Sequence, residues 1–205
     1  MGGSQGVAVR LAGWNHNNHY LPWVLGLVPA GCGRALDVGC GSGLLTRLLA
    51  EKCGEVVGID SDRASLERAR NLAGDDAKIV FVEGDVMSYP FGGERFDCIA
   101  VVAALHHLPL EQALRLFRDL LRPGGVLIVV GLARRETLVD TCWSAAGLVS
   151  SRLVRLWRGV GLVGAPIADP RETLEEIRRV AAEVLPGAVI RRRLYFRYSL
   201  VWRKP

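Results

Sequence analysis

Between residues 34 and 132, five short apolar runs alternate with amphipathic stretches, and this rhythm limits the folds open to the chain. "RALDVG", "EVVGID", "KIVFVEGD", "FDCIAVVAAL" and "GGVLIVVGL" are near-continuous in Val, Ile, Leu and Ala, the composition of strands covered on both faces. "LLTRLLAEKC", "DRASLERARNLA" and "LEQALRLFRDLL" carry apolar residues at helical spacing, as with Leu66, Ala69 and Leu72. Strand–helix alternation predicts a parallel sheet with helices on both faces and right-handed crossovers. Pro109 marks a helix start, and Pro123-Gly124-Gly125 a stop before the fifth strand. After a break in the rhythm at residues 134–158, the pattern resumes with a helix in "PRETLEEIRRVAAEVL" and a Pro186-Gly187 turn. "AVIRRRLYF" and "YSLVWRK" follow, joined by too short a link for anything but antiparallel pairing.

The seam between the first strand and helix, "LDVGCGSGLL", holds Gly39, Gly41 and Gly43. Glycine there costs folding entropy, so something must require close backbone approach. In an open α/β sheet, ligands bind outside the carboxyl ends of the strands. Asp60 closes the second strand and Asp85 follows the third, so carboxylates line the edge that the glycines open. Asp60 could accept hydrogen bonds from both hydroxyls of a ribose; Asp85 could accept from an adenine amine, with the Val86 N–H available to a ring nitrogen. Aspartates at such positions also form turns and cap helices, the competing explanation. A dinucleotide loop, GxGxxG, needs its last glycine where Leu44 stands. Asp37, just ahead of the loop, would repel a pyrophosphate and attract a cation. The pattern therefore favours a positively charged nucleoside.

"LDVGCGSG", "GIDSD", "VEGDV", "FDCIAVVAALHHL" and "LLRPGGVLIV" together resemble the successive motifs of the class I S-adenosylmethionine-dependent methyltransferases, over roughly residues 30–132. The resemblance implies a Rossmann-like α/β open sheet of order 3-2-1-4-5-7-6, strand 7 antiparallel, with helices on both faces. It implies S-adenosyl-L-methionine as cofactor, with Asp37 and the backbone of Gly39, Gly41 and Gly43 at the methionine moiety, Asp60 at the ribose and Asp85 at the adenine. Cys40, Ser61, Gly84, Val86 and Ala103 fall in the same motifs and are expected at the cofactor. The whole chain, 1–205, is then one methyltransferase domain: an N-terminal cap (1–30), the cofactor-binding core (31–132), a helical insertion over the substrate pocket (133–165), and the last helix with its hairpin (166–205).

Methyl transfer is an in-line displacement, in which a protein aligns the nucleophile and, for a hydroxyl or protonated amine, removes a proton. The segment after the fourth strand, "AALHHLPLEQ", offers His106 and His107, with His107 the first choice. Imidazole suits the task of base, and paired histidines occur here in similar small-molecule methyltransferases; capping the next helix is the alternative. The segment lacks the Asn/Asp-Pro-Pro-aromatic motif of methylases acting on amide or base nitrogens. In "WNHNNHYLPW", a helix would put His16, His19, Tyr20 and Trp23 on one face, and together with Trp14 these could wall an acceptor pocket or pack on the sheet. No clustered acids or cysteines support a metal there. The stretch 134–158 carries Arg152, Arg155 and Arg158, Trp143 and Trp157, and could be a lid, a lipid-facing surface or a solvated face. Arg191, Arg192 and Arg193 alternate sides of a strand and form no single patch.

A net charge of +5 is too modest to indicate nucleic acid. No apolar run is long enough to span a bilayer, "MGGSQG" is no signal peptide, and five scattered cysteines form no CxxC, which suits a cytoplasmic chain without disulfides or zinc. The reading is an S-adenosylmethionine-dependent methyltransferase for a small organic acceptor, oxygen or nitrogen ahead of carbon. Its alternatives are a cofactor-binding protein without transferase activity, an RNA methyltransferase, and an NAD-dependent dehydrogenase, against which Leu44 speaks.

Overall fold

A computed structural model describes residues 18–134, 170–194 and 197–205. Trp14 and His16, the stretch at 135–158 with its arginines and tryptophans, and most of the expected insertion lie outside them. A 3-10 turn (Asn18–Tyr20) leads into helix α1 (Leu21–Leu27). Then come β1 (Arg34–Val38), α2 (Leu44–Ala50), β2 (Glu55–Asp60), α3 (Arg63–Ala73), β3 (Ile79–Glu83) and β4 (Phe96–Val102). A second 3-10 turn (Leu105–His107), α4 (Leu110–Leu120) and β5 (Leu121–Leu132) follow. After the gap, α5 (Leu174–Val184) and the β6 (Val189–Arg193) and β7 (Arg197–Arg203) hairpin complete the described chain.

The strands form a seven-stranded sheet of order β3-β2-β1-β4-β5-β7-β6 among the described residues. β1 pairs in parallel with β2 and β4, β2 with β3, and β4 with β5, whereas β7 runs antiparallel to both β5 and β6. The order and the reversed strand are those the resemblance implied. Alternation along each buried strand feeds two cores. Leu36, Val38, Ile99 and Val101 join α4 and α5 on one face; Ala35, Val56, Cys98 and Ile128 join α1 and α2 on the other. Asp37 shares its side of β1 with Ala35, so it faces α2.

Two local details differ from the sequence expectation. The helix before the fifth strand ends at Leu120, and β5 begins at once, with a register shift against β4 between Phe96 and Cys98. Gly125 permits that crowding, because a Cβ there would lie 2.9 Å from the Arg122 carbonyl oxygen and 3.1 Å from that of Phe96. At the N-terminus, α1 starts only at Leu21, next to Pro22, so His19 and Tyr20 belong to the preceding 3-10 turn rather than to one helical face with Trp23. Tyr20 is buried among Leu21, Val24 and Leu25, and its hydroxyl donates to the Leu194 carbonyl at 2.7 Å. That bond ties the N-terminal segment to the β6–β7 turn. Tyr20→Phe is expected to cost about 1 kcal/mol in urea unfolding and to leave cofactor affinity unchanged.

Candidate active site

The carboxyl edge of the sheet is shaped first by its loop backbone. Gly39, Gly41 and Gly43 all have left-handed φ, +68°, +52° and +71°. Their surroundings separate them. A Cβ on Gly39 would sit 2.5 Å from the Cβ of Ala104, and one on Gly43 would meet the Phe81 ring at 2.7 Å and the Ala69 Cβ at 3.0 Å. These two glycines serve the packing of the protein itself. A Cβ on Gly41 would meet nothing within 4 Å, so open space lies beside this glycine. Opposite, after β4, Ala103 holds φ +56°, the one non-glycine residue in that region among the described residues. Its N–H is fixed by the Val130 carbonyl at 2.7 Å. Strain of this kind persists only where surrounding structure holds it, and it gathers at functional sites.

The carboxylates stand around this opening. Asp37 is 2% exposed and accepts a bond from the Thr46 hydroxyl of α2 at 2.7 Å. Burial pushes its pKa up to about 7; the Thr46 bond opposes this and the nearby Asp60 charge adds to it. Asp60 accepts from the Gly41 N–H and the Asp62 N–H, both at 2.8 Å, and its carbonyl accepts from Gly84 N–H at 3.0 Å. A carboxylate offers about four lone-pair positions, so two remain for a pair of hydroxyls. Asp85 is exposed, accepts from the Met87 N–H at 2.9 Å, and stands beside buried Val86. The fold thus brings Asp37, Gly39, Cys40, Gly41, Gly43, Asp60, Ser61, Gly84, Asp85 and Val86 to one sheet edge through the tips of β1, β2 and β3. Cys40 is buried, and burial together with the Asp37 and Asp60 charges pushes its thiol pKa up, leaving it unreactive.

Among the described residues no arginine or lysine pairs with Asp37 or Asp60. Two mutually repelling carboxylates around an open glycine call for a cation. S-adenosylmethionine, with its ammonium, sulfonium and ribose, matches that donor set, and these residues fit it.

His106 and His107 occupy the 3-10 turn after β4, which packs on β5. His107 is exposed; His106 is half-buried beneath it, the rings 4.0 Å apart and tilted by 39°. The His106 Nδ1 is buried and has no hydrogen-bond partner among the described residues. Burial, then the charges of His107 and Arg197, push the His106 pKa down to about 4. His19 is exposed and packs edge-on against Tyr20.

Two residues of this region were not anticipated from sequence. Thr46, which holds Asp37, could have been noticed as a lone small polar residue in the otherwise apolar run of α2. Arg197 comes beside His106 only because β7 returns antiparallel and pairs Arg197 with Leu132, and nothing local in the sequence signals that.

Known proteins give the same picture. Residues 36–129 match the model of a family described as "Methyltransferase domain". An uncharacterized methyltransferase of Mycobacterium tuberculosis is 36% identical over 194 residues, covering 94% of this chain and 98% of that relative. A 2-phytyl-1,4-naphtoquinone methyltransferase of Thermosynechococcus vestitus is 36% identical over 107 residues, 50% of this chain and 48% of its own. The crystal structure of N-methyltransferase NodS from Bradyrhizobium japonicum in complex with S-adenosyl-L-homocysteine superposes with a TM-score of 0.62 at 18% identity, covering 98% of this chain and 97% of that one. At that identity the likeness is one of fold. Motifs, sheet order, cation-seeking edge and a relative spanning nearly the whole chain converge: this protein belongs to the class I S-adenosylmethionine-dependent methyltransferases.

Proposed function

We propose that the protein methylates a small organic molecule at oxygen or nitrogen, with His106 taking the departing proton. The observation that carries this reading is the buried Nδ1 of His106, unpartnered among the described residues, on the turn beyond the cofactor edge. A buried nitrogen without a partner costs stability, and an acceptor hydroxyl or amine would satisfy it. When bound, S-adenosylmethionine supplies a methyl group already activated by its positive sulfur. The chain's own part is to hold that group by Asp37 and Asp60, to seat the acceptor against the β4 turn, and to receive a proton at His106. With its pKa pushed down to about 4, His106 is neutral throughout the physiological range and keeps its lone pair free, while the same shift makes it a weaker base than an ordinary imidazole. His107, exposed above it, is the weaker candidate on burial. A quinone-like ring acceptor is the second reading, favoured by the relative named for a naphthoquinone. Four free buried cysteines among the described residues fit a reducing, cytoplasmic setting.

The test is transfer of labelled methyl from the cofactor to a panel of phenols, amines, quinones and tRNA. Transfer to a phenol or amine supports the proposal; transfer to quinone carbon or to RNA alone, or none with tight cofactor binding, overturns it. On the active acceptor, His106→Ala is expected to lower kcat ~100-fold or more, with His107→Ala near wild type. The wild-type rate should lack an acid limb from His106 above pH ~5, following its depressed pKa. Equal losses in the two variants would remove His106 from its role.

A further inference from the structure

The edge of the sheet opposite the active site carries a second chemistry. Cys32, just before β1, and Cys53, just before β2, are 4% and 3% exposed and lie in one core cluster. The Gly54 N–H donates to the Cys32 carbonyl at 3.0 Å, and the Glu55 N–H to that of Gly33 at 2.9 Å. Here the main chains are so close that a Cβ on Gly54 would lie 2.9 Å from the Gly33 oxygen. Paired strands run about 4.8 Å apart, inside the ~4.4–6.8 Å window of disulfide α-carbons. Continued two residues back, the Arg34–Glu55 register sets Cys32 opposite Cys53, and both enter the same core cluster. Exposed Gly31, Gly33 and Gly54 flank them, leaving the cysteines one residue beneath solvent.

We propose that Cys32 and Cys53 form an oxidisable dithiol that closes to an intramolecular disulfide. The bond would join the starts of β1 and β2 and enclose the glycine loop and α2 in one covalent ring. Cys32 is the entering nucleophile: the neighbouring Cys53 side chain lowers its pKa, with help from the Arg34 N–H and the Arg122 guanidinium, against burial and the Asp97 charge. The neighbouring Cys32, with burial, raises that of Cys53. With a low-molecular-weight disulfide as oxidant, the Cys32 thiolate attacks one sulfur and expels a thiolate. Cys53 then gives up its proton and displaces the second thiolate from the mixed disulfide. Two protein thiols are oxidised and one external disulfide is reduced to two thiols. The third thiol of the cluster, Cys98, is fully buried on β4 and is not a partner in this reaction.

The experiment treats the folded protein with hydroxyethyl disulfide, quenches with iodoacetamide, and reads intact mass and peptide linkage. Expected are the loss of two hydrogen atoms, a Cys32–Cys53 linked peptide, a higher melting temperature, and unchanged affinity for S-adenosylhomocysteine. Cys53→Ser should stop at a mercaptoethanol adduct on Cys32. An unchanged mass, separate adducts on both cysteines, or a link through Cys40, Cys98 or Cys142 overturns the proposal. Should the variant not fold, the wild-type linkage map decides by itself.

Discussion

Asp37→Asn is expected to weaken S-adenosylhomocysteine binding ~10- to 100-fold, the effect of losing one charge-assisted hydrogen bond, while making the free protein more stable at pH 8. Both effects come from the burial that raises the carboxyl pKa from 3.8 to about 7. The sign is the reverse of a salt-bridged aspartate. Between pH ~4 and ~7 the folded state binds more protons than the unfolded chain, so stability falls as pH rises through that window. Above it the ionised carboxylate costs the fold on the order of 2–4 kcal/mol. Asparagine escapes that cost, and its amide oxygen can still accept from Thr46. Its melting temperature at pH 8 should rise by about 5–10 °C, and by little near pH 4. In the wild type, a ligand ammonium favours ionised Asp37, so affinity should climb with pH up to ~7 and then level off. Calorimetry at pH 6 in two buffers of different ionisation heat should show close to one proton released on binding. Wild-type affinity in the asparagine variant, or no proton release, would refute this account.

The second large effect separates the three loop glycines. Gly39→Ala and Gly43→Ala should each lose about 3 kcal/mol or more of stability, since each adds a left-handed side chain and a contact at 2.5 or 2.7 Å. Gly41→Ala should pay only the backbone cost, about 1–2 kcal/mol, because its Cβ points into open space. It should remain folded and lose most of its cofactor affinity, the added methyl group standing where the ligand backbone must approach. Urea unfolding paired with calorimetry on the same preparations reads both quantities. If Gly41→Ala binds like wild type, this glycine does not face the ligand.

Much of this edge was legible in residues alone. Strand runs, helix stripes and the terminal hairpin are local patterns, set by side-chain periodicity over fewer than a dozen residues. The aspartates at the strand tips are likewise visible, because a tip is defined by where an apolar run stops. Strand order is not a local property, and it was the resemblance to a known family that supplied it. Tyr20 shows the opposite limit. Read from its neighbours it could wall a pocket or pack on the sheet; its bond to Leu194, far along the chain, joins it to the hairpin turn.

By itself, then, the amino-acid order determined the alternation of elements, the placement of three carboxylates at consecutive strand tips, and the preference for a cation over a pyrophosphate. Only the assembled molecule decided that burial would raise the Asp37 pKa to about 7, that a Cβ on Gly41 would meet open space where one on Gly39 or Gly43 would clash, and that Cys32 would come opposite Cys53. The physical reason is common to all three. Burial, clearance and the facing of the two cysteines depend on Thr46, Ala104, Phe81 and Gly54, which reach these positions through crossovers and register. Periodicity tells a residue which side it faces; what waits on that side is settled by the fold.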